Sequence, residues 1–242
     1  MTGFDDNRLA TALARHAGKI ALALRAGDLL EGRALGDAGD KAVNAFLMPA
    51  IREHRPEDAI LSEESEDSAA RLSSTRVWIV DPVDGTREFA EGREDWAIHV
   101  GLAVDGVATA GAVALPALDL VLSCEDAPAQ HRATGKIVVS RSRPPAEAQR
   151  VAQSLEMELV GMGSAGAKAM AVVRGEADAY LHSGGQFEWD NCAPVAVAKA
   201  HGLHCSRIDG SPLRYNNADP SLPDLLICRP ELAEPILQAI AR

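Results

Sequence analysis

Aromatic residues are scarce, at 4% of the 242 residues. Leu, Val, Ile and Ala must therefore fill the core, and an apolar content of 47% is enough for a sizeable one. The length supports one or two domains. Positive charge is also in deficit: 24 Lys and Arg against 35 Asp and Glu leave a net charge of −11. That argues against a nucleic-acid polymer as partner, which needs a basic face. A small anionic substrate stays open, because bound metal ions invert the local field. The four cysteines, Cys124, Cys192, Cys205 and Cys228, contain no Cys-x-x-Cys pair and read as buried or incidental thiols in a reducing compartment. Met1 to Asn7 lacks a basic-then-apolar leader pattern. No run approaches the ~18 uncharged apolar residues of a membrane span. The expectation is a cytoplasmic protein without membrane insertion. There is no internal repeat, no P-loop spacing, no Gly-x-Ser-x-Gly elbow and no His pair at metal-ligand spacing among the seven histidines. Serine nucleophiles and His-based metal sites are left without support.

What the chain does have is centred on Val77-Trp78-Ile79-Val80-Asp81-Pro82-Val83-Asp84-Gly85-Thr86-Arg87-Glu88-Phe89. Val77 to Val80 reads as a buried strand, stopped at Asp81-Pro82 because Pro cannot continue a ladder. Asp84-Gly85 forces a turn, and Thr86 opens a short helix. Two carboxylates for a hard cation then sit beside the free amides of Gly85 and Thr86, which favour an anion. Such a pairing suggests a metal-bridged phosphate site, although an Asp-Gly turn alone is commonplace.

Residues 5–26 fit an amphipathic helix, with Leu9, Leu13, Ala17, Ile20 and Leu24 at intervals of three and four. Gly27 to Gly39 reads as a loop. A second helix follows, with Val43, Phe46, Leu47 and Ile51 on one face, ending before Pro56. Asp40 at its start has the ordinary role of an N-cap. Ala59 to Leu61 is a short strand that leads into Glu63-Glu64. Trp96 to Val104 alternates with period two, Asp105-Gly106 is a hairpin turn, and Val107 to Leu115 and Leu120 to Cys124 complete an antiparallel meander. Residues 125–135 are the best linker. Beyond them strand and helix alternate: strands at 136–140, 159–162, 177–182, 203–208 and 225–229, and helices from Pro144-Pro145 to Leu155, Ser164 to Arg174, Asp190 to His201 and Glu231 to Ala241. The fold class is α/β, with an α+β first half and a layered α/β second half. The expected division is 1–128, carrying most metal ligands, and 129–242, carrying Asp190.

The central stretch resembles the Asp-Pro-(Ile/Leu/Val)-Asp-Gly-Thr signature of the inositol monophosphatase superfamily, Mg²⁺-dependent and lithium-sensitive phosphomonoesterases. Arg87-Glu88-Phe89, and Phe187-Glu188-Trp189-Asp190 ahead of Ala193-Pro194, resemble its CysQ-type bisphosphate nucleotidases. The resemblance implies an α/β/α/β/α sandwich. It also implies two or three Mg²⁺ ions on Glu63, Asp81, the Val83 carbonyl, Asp84 and Asp190. Thr86 and Asp40 would orient the attacking water, and Glu64 would support Glu63 from close by in the catalytic site. Gly85, Thr86 and Arg87 would steady the phosphate. Undressed, four such carboxylates would raise one another's pKa, and all-oxygen ligands suit Mg²⁺. Gly163-Ser164-Ala165-Gly166-Ala167-Lys168 resembles a substrate-end segment. There Ser164 and Lys168 would meet a second, uncleaved phosphate, although a helix-surface lysine is an equal reading. Ser140-Arg141-Ser142-Arg143 resembles a segment lining the nucleotide pocket. The implied reaction is hydrolysis of adenosine 3′,5′-bisphosphate to AMP and phosphate, within sulfur assimilation. A homodimer is compatible with the resemblance. Inositol monophosphatase and fructose-1,6-bisphosphatase activities are the alternatives within the class, and a non-catalytic nucleotide or metal sensor is the rival outside it.

Overall fold

A computed structural model describes residues 5–128 and 132–241. The helices are α1 (Asp6–Arg25), α2 (Gly32–His54), α3 (Thr86–Ala90), α4 (Ala146–Leu155), α5 (Ala165–Val173), α6 (Glu188–Ala200) and α7 (Ala233–Ile240). The strands of the first half are β1 (Ala59–Ser62), β2 (Arg76–Asp84), β3 (Ala97–Val104), β4 (Val107–Leu115) and β5 (Leu120–Ser123). Those of the second half are β6 (Lys136–Ser140), β7 (Glu158–Met162), β8 (Ala179–Phe187), β9 (His204–Ser206) and β10 (Ser221–Cys228). One sheet runs β1-β2-β3-β4-β5 and the other β7-β6-β8-β10-β9. In the first sheet only β1 and β2 are parallel. In the second, β7, β6 and β8 are parallel while β8, β10 and β9 are antiparallel.

Period-two burial divides the interior into three apolar layers. Trp78 and Val80 of β2 turn toward α1 and α2, and pack with Leu13, Val43, Leu47 and Ile51. Val77 and Ile79 turn the other way, onto α5 and α6, in a layer shared with Val138, Tyr180, Leu225 and Ile227 of the second sheet. Their neighbours Ile137, Val139, Leu181 and Leu226 face α4 and α7. The order is helices, sheet, helices, sheet, helices, the expected α/β/α/β/α sandwich. The drawn boundary at 128/129 and the middle of the 125–135 linker fall at residues 129–131, outside the described residues.

Three expected boundaries are wrong, each for a physical reason. The Gly27–Gly39 segment is not a loop throughout, because α2 begins at Gly32. Two of its glycines serve close approach: a Cβ on Gly36 would come 2.7 Å from Thr86 Cγ2, and one on Gly39 2.8 Å from Phe89 Cε1. Asp40 is therefore no N-cap; it lies well inside α2, on the buried stripe with Leu35, Val43 and Leu47. Second, β2 does not stop at Pro82. Asp81 pairs with His99 and Asp84 with Ala97, so Pro82 and Val83 together oppose Ile98 alone. This is a bulge, where Pro is tolerated. Third, α6 begins at Glu188, so Asp190 sits inside the first turn rather than at the cap.

Candidate active site

The bulge explains how two aspartates three residues apart share a site. In an unbroken strand, positions 81 and 84 would face opposite sides. The extra residue reverses the parity, so Asp81 and Asp84 stand with His99 and Ala97 on the face that looks toward α5 and α6. From that layer α6 brings Asp190. Gly101 and Gly111 let it press directly on the sheet, since a Cβ at either would meet the Ala193 backbone at 2.8 and 3.2 Å. The Phe187 amide donates to Asp190 Oδ2 at 2.6 Å, fixing one oxygen and leaving the other for a ligand. Carboxylate oxygens of Asp81, Asp84 and Asp190 lie within 4.8 Å of one another.

Burial and the charges of Glu63, Asp84 and Asp190 push Asp81 well above the usual carboxylate range. Burial and Asp190 likewise push Glu63 up to about 7, and Glu63 shares a side-chain hydrogen bond with Asp81. Burial and Asp84 push Asp190 up to about 6. Asp81 Oδ1 is buried with no donor. A carboxylate oxygen left bare among other carboxylates, with only oxygen donors converging, fits a hard divalent cation. Glu63 and Glu64 themselves stand at the rim of the cluster, where Glu63 reaches Asp81. Asn44 holds their turn, accepting from Ser62 Oγ at 2.8 Å and donating to Ser65 Oγ at 3.0 Å.

Asp84 behaves differently. Burial alone would raise its pKa, but His99, Lys168 and Ser164 outweigh it and bring it down to about 2. Ser164 Oγ and the Gly166 amide donate to Oδ2, the latter at 2.6 Å, and the Ala165 amide donates to Oδ1 at 3.1 Å. The anion at the start of α5 is thus Asp84 itself. This corrects the expectation that Ser164 at this helix start receives a substrate phosphate. The Lys168 expectation is corrected too. Its ammonium is buried and donates to the Gly163 carbonyl at 2.7 Å and to that of Ser164. Burial brings its pKa down to about 8. It lines the cleft but points its donors at backbone.

Thr86 Oγ1 lies 3.2 Å from Asp40 Oδ2 and 3.1 Å from the Val83 carbonyl, so the hydroxyl can donate to either. Burial, then Glu64 and Glu63, push Asp40 up to about 7. Arg87 is exposed and paired with Glu91 at 2.8 Å, not turned toward the aspartates. Gly85, at φ 87, adopts the left-handed turn that the Asp-Gly pair predicts.

One residue escapes the sequence reading. His99 is buried; its Nδ1 lies 2.9 Å from the Trp189 carbonyl and its Nε2 3.1 Å from Asp84 Oδ2. Burial opposes its charge, but Asp84 raises its pKa. It ties Asp84 to the segment that carries Asp190. A polar residue on the inward face of an apolar strand was the available signal. Glu188 was read with Trp189 as a mark of substrate choice. It is buried and accepts from the Asn216 and Asn217 amides at 2.7 and 2.8 Å, so its task is to hold that loop against α6.

A cleft of about 190 Å³ opens from Asp84 and Asp190 to Ser140, Arg141, Arg143 and His182. A second, more apolar hollow of about 430 Å³ lies on the far side of Thr86, between Gly36 and Ala90. Among the described residues, no helix is long and apolar enough to cross a membrane.

The family model described as the inositol monophosphatase family matches residues 9–241. A 3′-phosphoadenosine 5′-phosphate phosphatase of Mycobacterium bovis is 52% identical, over 93% of this chain and 89% of its own. The 3′(2′),5′-bisphosphate nucleotidase CysQ of Escherichia coli K12 is 31% identical, over 74% of this chain and 78% of its own. Inositol monophosphatase II of Staphylococcus aureus superposes with a TM-score of 0.80 at 22% identity, covering 95% of this chain and 94% of that one. The match over nearly the whole length, and the aspartates the bulge brings together, place this chain in the inositol monophosphatase family.

Proposed function

We propose that the protein is a Mg²⁺-dependent phosphomonoesterase that hydrolyses 3′-phosphoadenosine 5′-phosphate to AMP and phosphate. One observation carries the reading: Asp81, Asp84 and Asp190 converge beside the Asp40–Thr86 pair in a chain 52% identical to a phosphatase named for that substrate. Asp81, Asp84 and Asp190, with Glu63 and the Val83 carbonyl, would hold two or three ions. Bound there, Mg²⁺ supplies Lewis acidity to the phosphate ester and to water.

The chain's own part is positioning and proton handling. Thr86 donates to Asp40 and accepts from the attacking water, which aims a lone pair at phosphorus. Asp40, held at about 7, takes up the proton within reach of neutral pH. The negative charge of Glu64 keeps Asp40 basic. The water oxygen bonds to phosphorus, the bond to the ribose 3′-oxygen breaks, and that oxygen takes its proton from solvent water. The amides of Gly85 and Thr86 at the start of α3 offer donors to the phosphate.

Phosphate release from 3′-phosphoadenosine 5′-phosphate, inositol 1-phosphate and fructose 1,6-bisphosphate, each with Mg²⁺ or EDTA, tests the reading. The nucleotide should give the highest kcat/KM. Preference for inositol 1-phosphate would overturn the substrate and leave the metal site standing.

A further inference from the structure

We propose that Arg71 and Asn216 form a clasp that holds the Glu63 segment against the start of α6, and that this clasp sets Mg²⁺ affinity by fixing Glu63 relative to Asp190. The inference rests on the metal site of the proposed function and names positioning residues outside it. Arg71 is only 3% exposed, although it lies in a short 3₁₀ turn (Ala69–Ser73) between β1 and β2. A buried guanidinium must find acceptors. On one side, Nε and Nη2 donate to the two carboxylate oxygens of Asp67 at 2.7 and 2.9 Å. Asp67 follows Glu63 by four residues. On the other side, Nη1 donates to Asn216 Oδ1 at 2.8 Å and to the Asn217 carbonyl at 2.9 Å. Asn216 answers through Nδ2, which donates to the Arg71 carbonyl at 3.0 Å.

The same loop grips α6 on both sides of Asp190. The Asn216 and Asn217 amides, with Asn217 Nδ2, donate to the carboxylate of the fully buried Glu188, two residues before it. Tyr215 Oη donates to Asn191 Oδ1 at 2.9 Å, one residue after it. Asn216 holds a φ of 61, a left-handed conformation that Asn tolerates and most side chains do not. An unbroken run of hydrogen bonds therefore leads from Asp67 through Arg71 and Asn216 to Glu188. It joins two segments whose acids, Glu63 and Asp190, repel each other without a cation. Such a link keeps ligand groups in place before an ion arrives, so the ion does not have to draw them together.

The test is a calorimetric titration of Mg²⁺ into metal-free protein, with Arg71→Met, Asn216→Gly and Arg229→Met beside the parent. Asn216→Gly keeps the positive φ and removes only the side-chain links, so it reads the clasp even where Arg71→Met folds poorly. Arg229→Met is the stability control. It breaks the pair of Arg229 with the buried Asp178 at 3.2 Å, at the end of β6 opposite the cleft. Arg71→Met and Asn216→Gly should each raise Kd for Mg²⁺ by about tenfold or more, the loss typical of groups that orient metal ligands. Arg229→Met should lower the thermal midpoint yet leave Kd within about twofold of the parent, as expected of an independent site. Turnover of 3′-phosphoadenosine 5′-phosphate that the clasp variants lose at limiting Mg²⁺ should return as Mg²⁺ is raised. Unchanged Mg²⁺ affinity in both clasp variants overturns the inference even where their thermal midpoints fall, as does an equal loss of affinity in Arg229→Met. A parent that binds Mg²⁺ and leaves the nucleotide intact overturns the proposed function and not the clasp.

Discussion

The two ends of the cleft are built on opposite terms. At the carboxylate end, Asp81 and Asp190 stand close to other acids, partly stripped of water and short of donors. At the basic end, Arg141 and Lys168 are already satisfied within the protein. Asp84 marks the boundary: it sits in the aspartate cluster, yet α5 and His99 hold it ionised. Unmet charge is where a cation or phosphate adds most, whereas a paired group mainly holds the fold. Motif position alone does not make that distinction, since Lys168 and Asp81 both lie in recognisable segments.

The sharpest way to break this contrast is at Thr86. Thr86→Ala should lower kcat by about 10²- to 10⁴-fold at saturating Mg²⁺ with little change in KM, the range expected of lost proton handling. Unchanged turnover would remove the Asp40–Thr86 pair from the chemistry. Gly166→Ala tests the tie between α5 and Asp84. Its Cβ would fall 2.1 Å from His99 Nε2, so it should destabilise the protein by about 1–3 kcal/mol in denaturant unfolding. A neutral result would mean that the α5 start is not the rigid support described.

The third prediction concerns pH without metal. Asp40 and Glu63 at about 7 and Asp190 at about 6 lie above the usual carboxylate values near 4. The folded state then binds protons more tightly than the unfolded chain. That contribution is complete below about pH 4 and is lost as pH rises through 6 to 7. Asp84, lowered to about 2, has the opposite sign, and its contribution is lost only as pH falls toward 2. In EDTA the thermal midpoint should fall between pH 5 and 8, and saturating Mg²⁺ should flatten that fall. A midpoint that rises over the same range in EDTA would contradict the clustered carboxylates. The smallest effect is expected at Lys168. Lys168→Met should cost stability of about 1–3 kcal/mol by leaving two carbonyls without a donor. It should leave the ratio of bisphosphate to monophosphate turnover within about twofold, since the ammonium faces backbone. A large drop in that ratio would put Lys168 in contact with the uncleaved phosphate.

Much of this was legible from residues. Period two in β3, the Asp-Gly turns and the Pro-led start of α4 are local signals, and the structure keeps them. The layered sandwich and the pairing of Asp40 with Thr86 follow the family resemblance. The losses have one origin. Glycine at 36 and 39 and proline at 82 were read for their backbone habits, whereas tertiary contact decides them: close helix packing in α2 and a bulge in β2. Serine and lysine at the start of α5 were read as open to ligand, because no local pattern reveals that Asp84 already occupies that end. His99 was passed over because its partners, Asp84 and the Trp189 carbonyl, are distant in the chain.

The most direct test is a calorimetric titration of Mg²⁺ into metal-free protein at pH 7, repeated with Asp81→Asn and paired with phosphate release from 3′-phosphoadenosine 5′-phosphate in the same samples. The unmutated protein should bind Mg²⁺ with proton release, because Glu63, raised to about 7, is partly protonated there without the cation. Its activity should rise with occupancy, and Asp81→Asn should lose both binding and turnover. Full phosphate release in EDTA, or Mg²⁺ binding undiminished by Asp81→Asn, would contradict a cation site built on these aspartates.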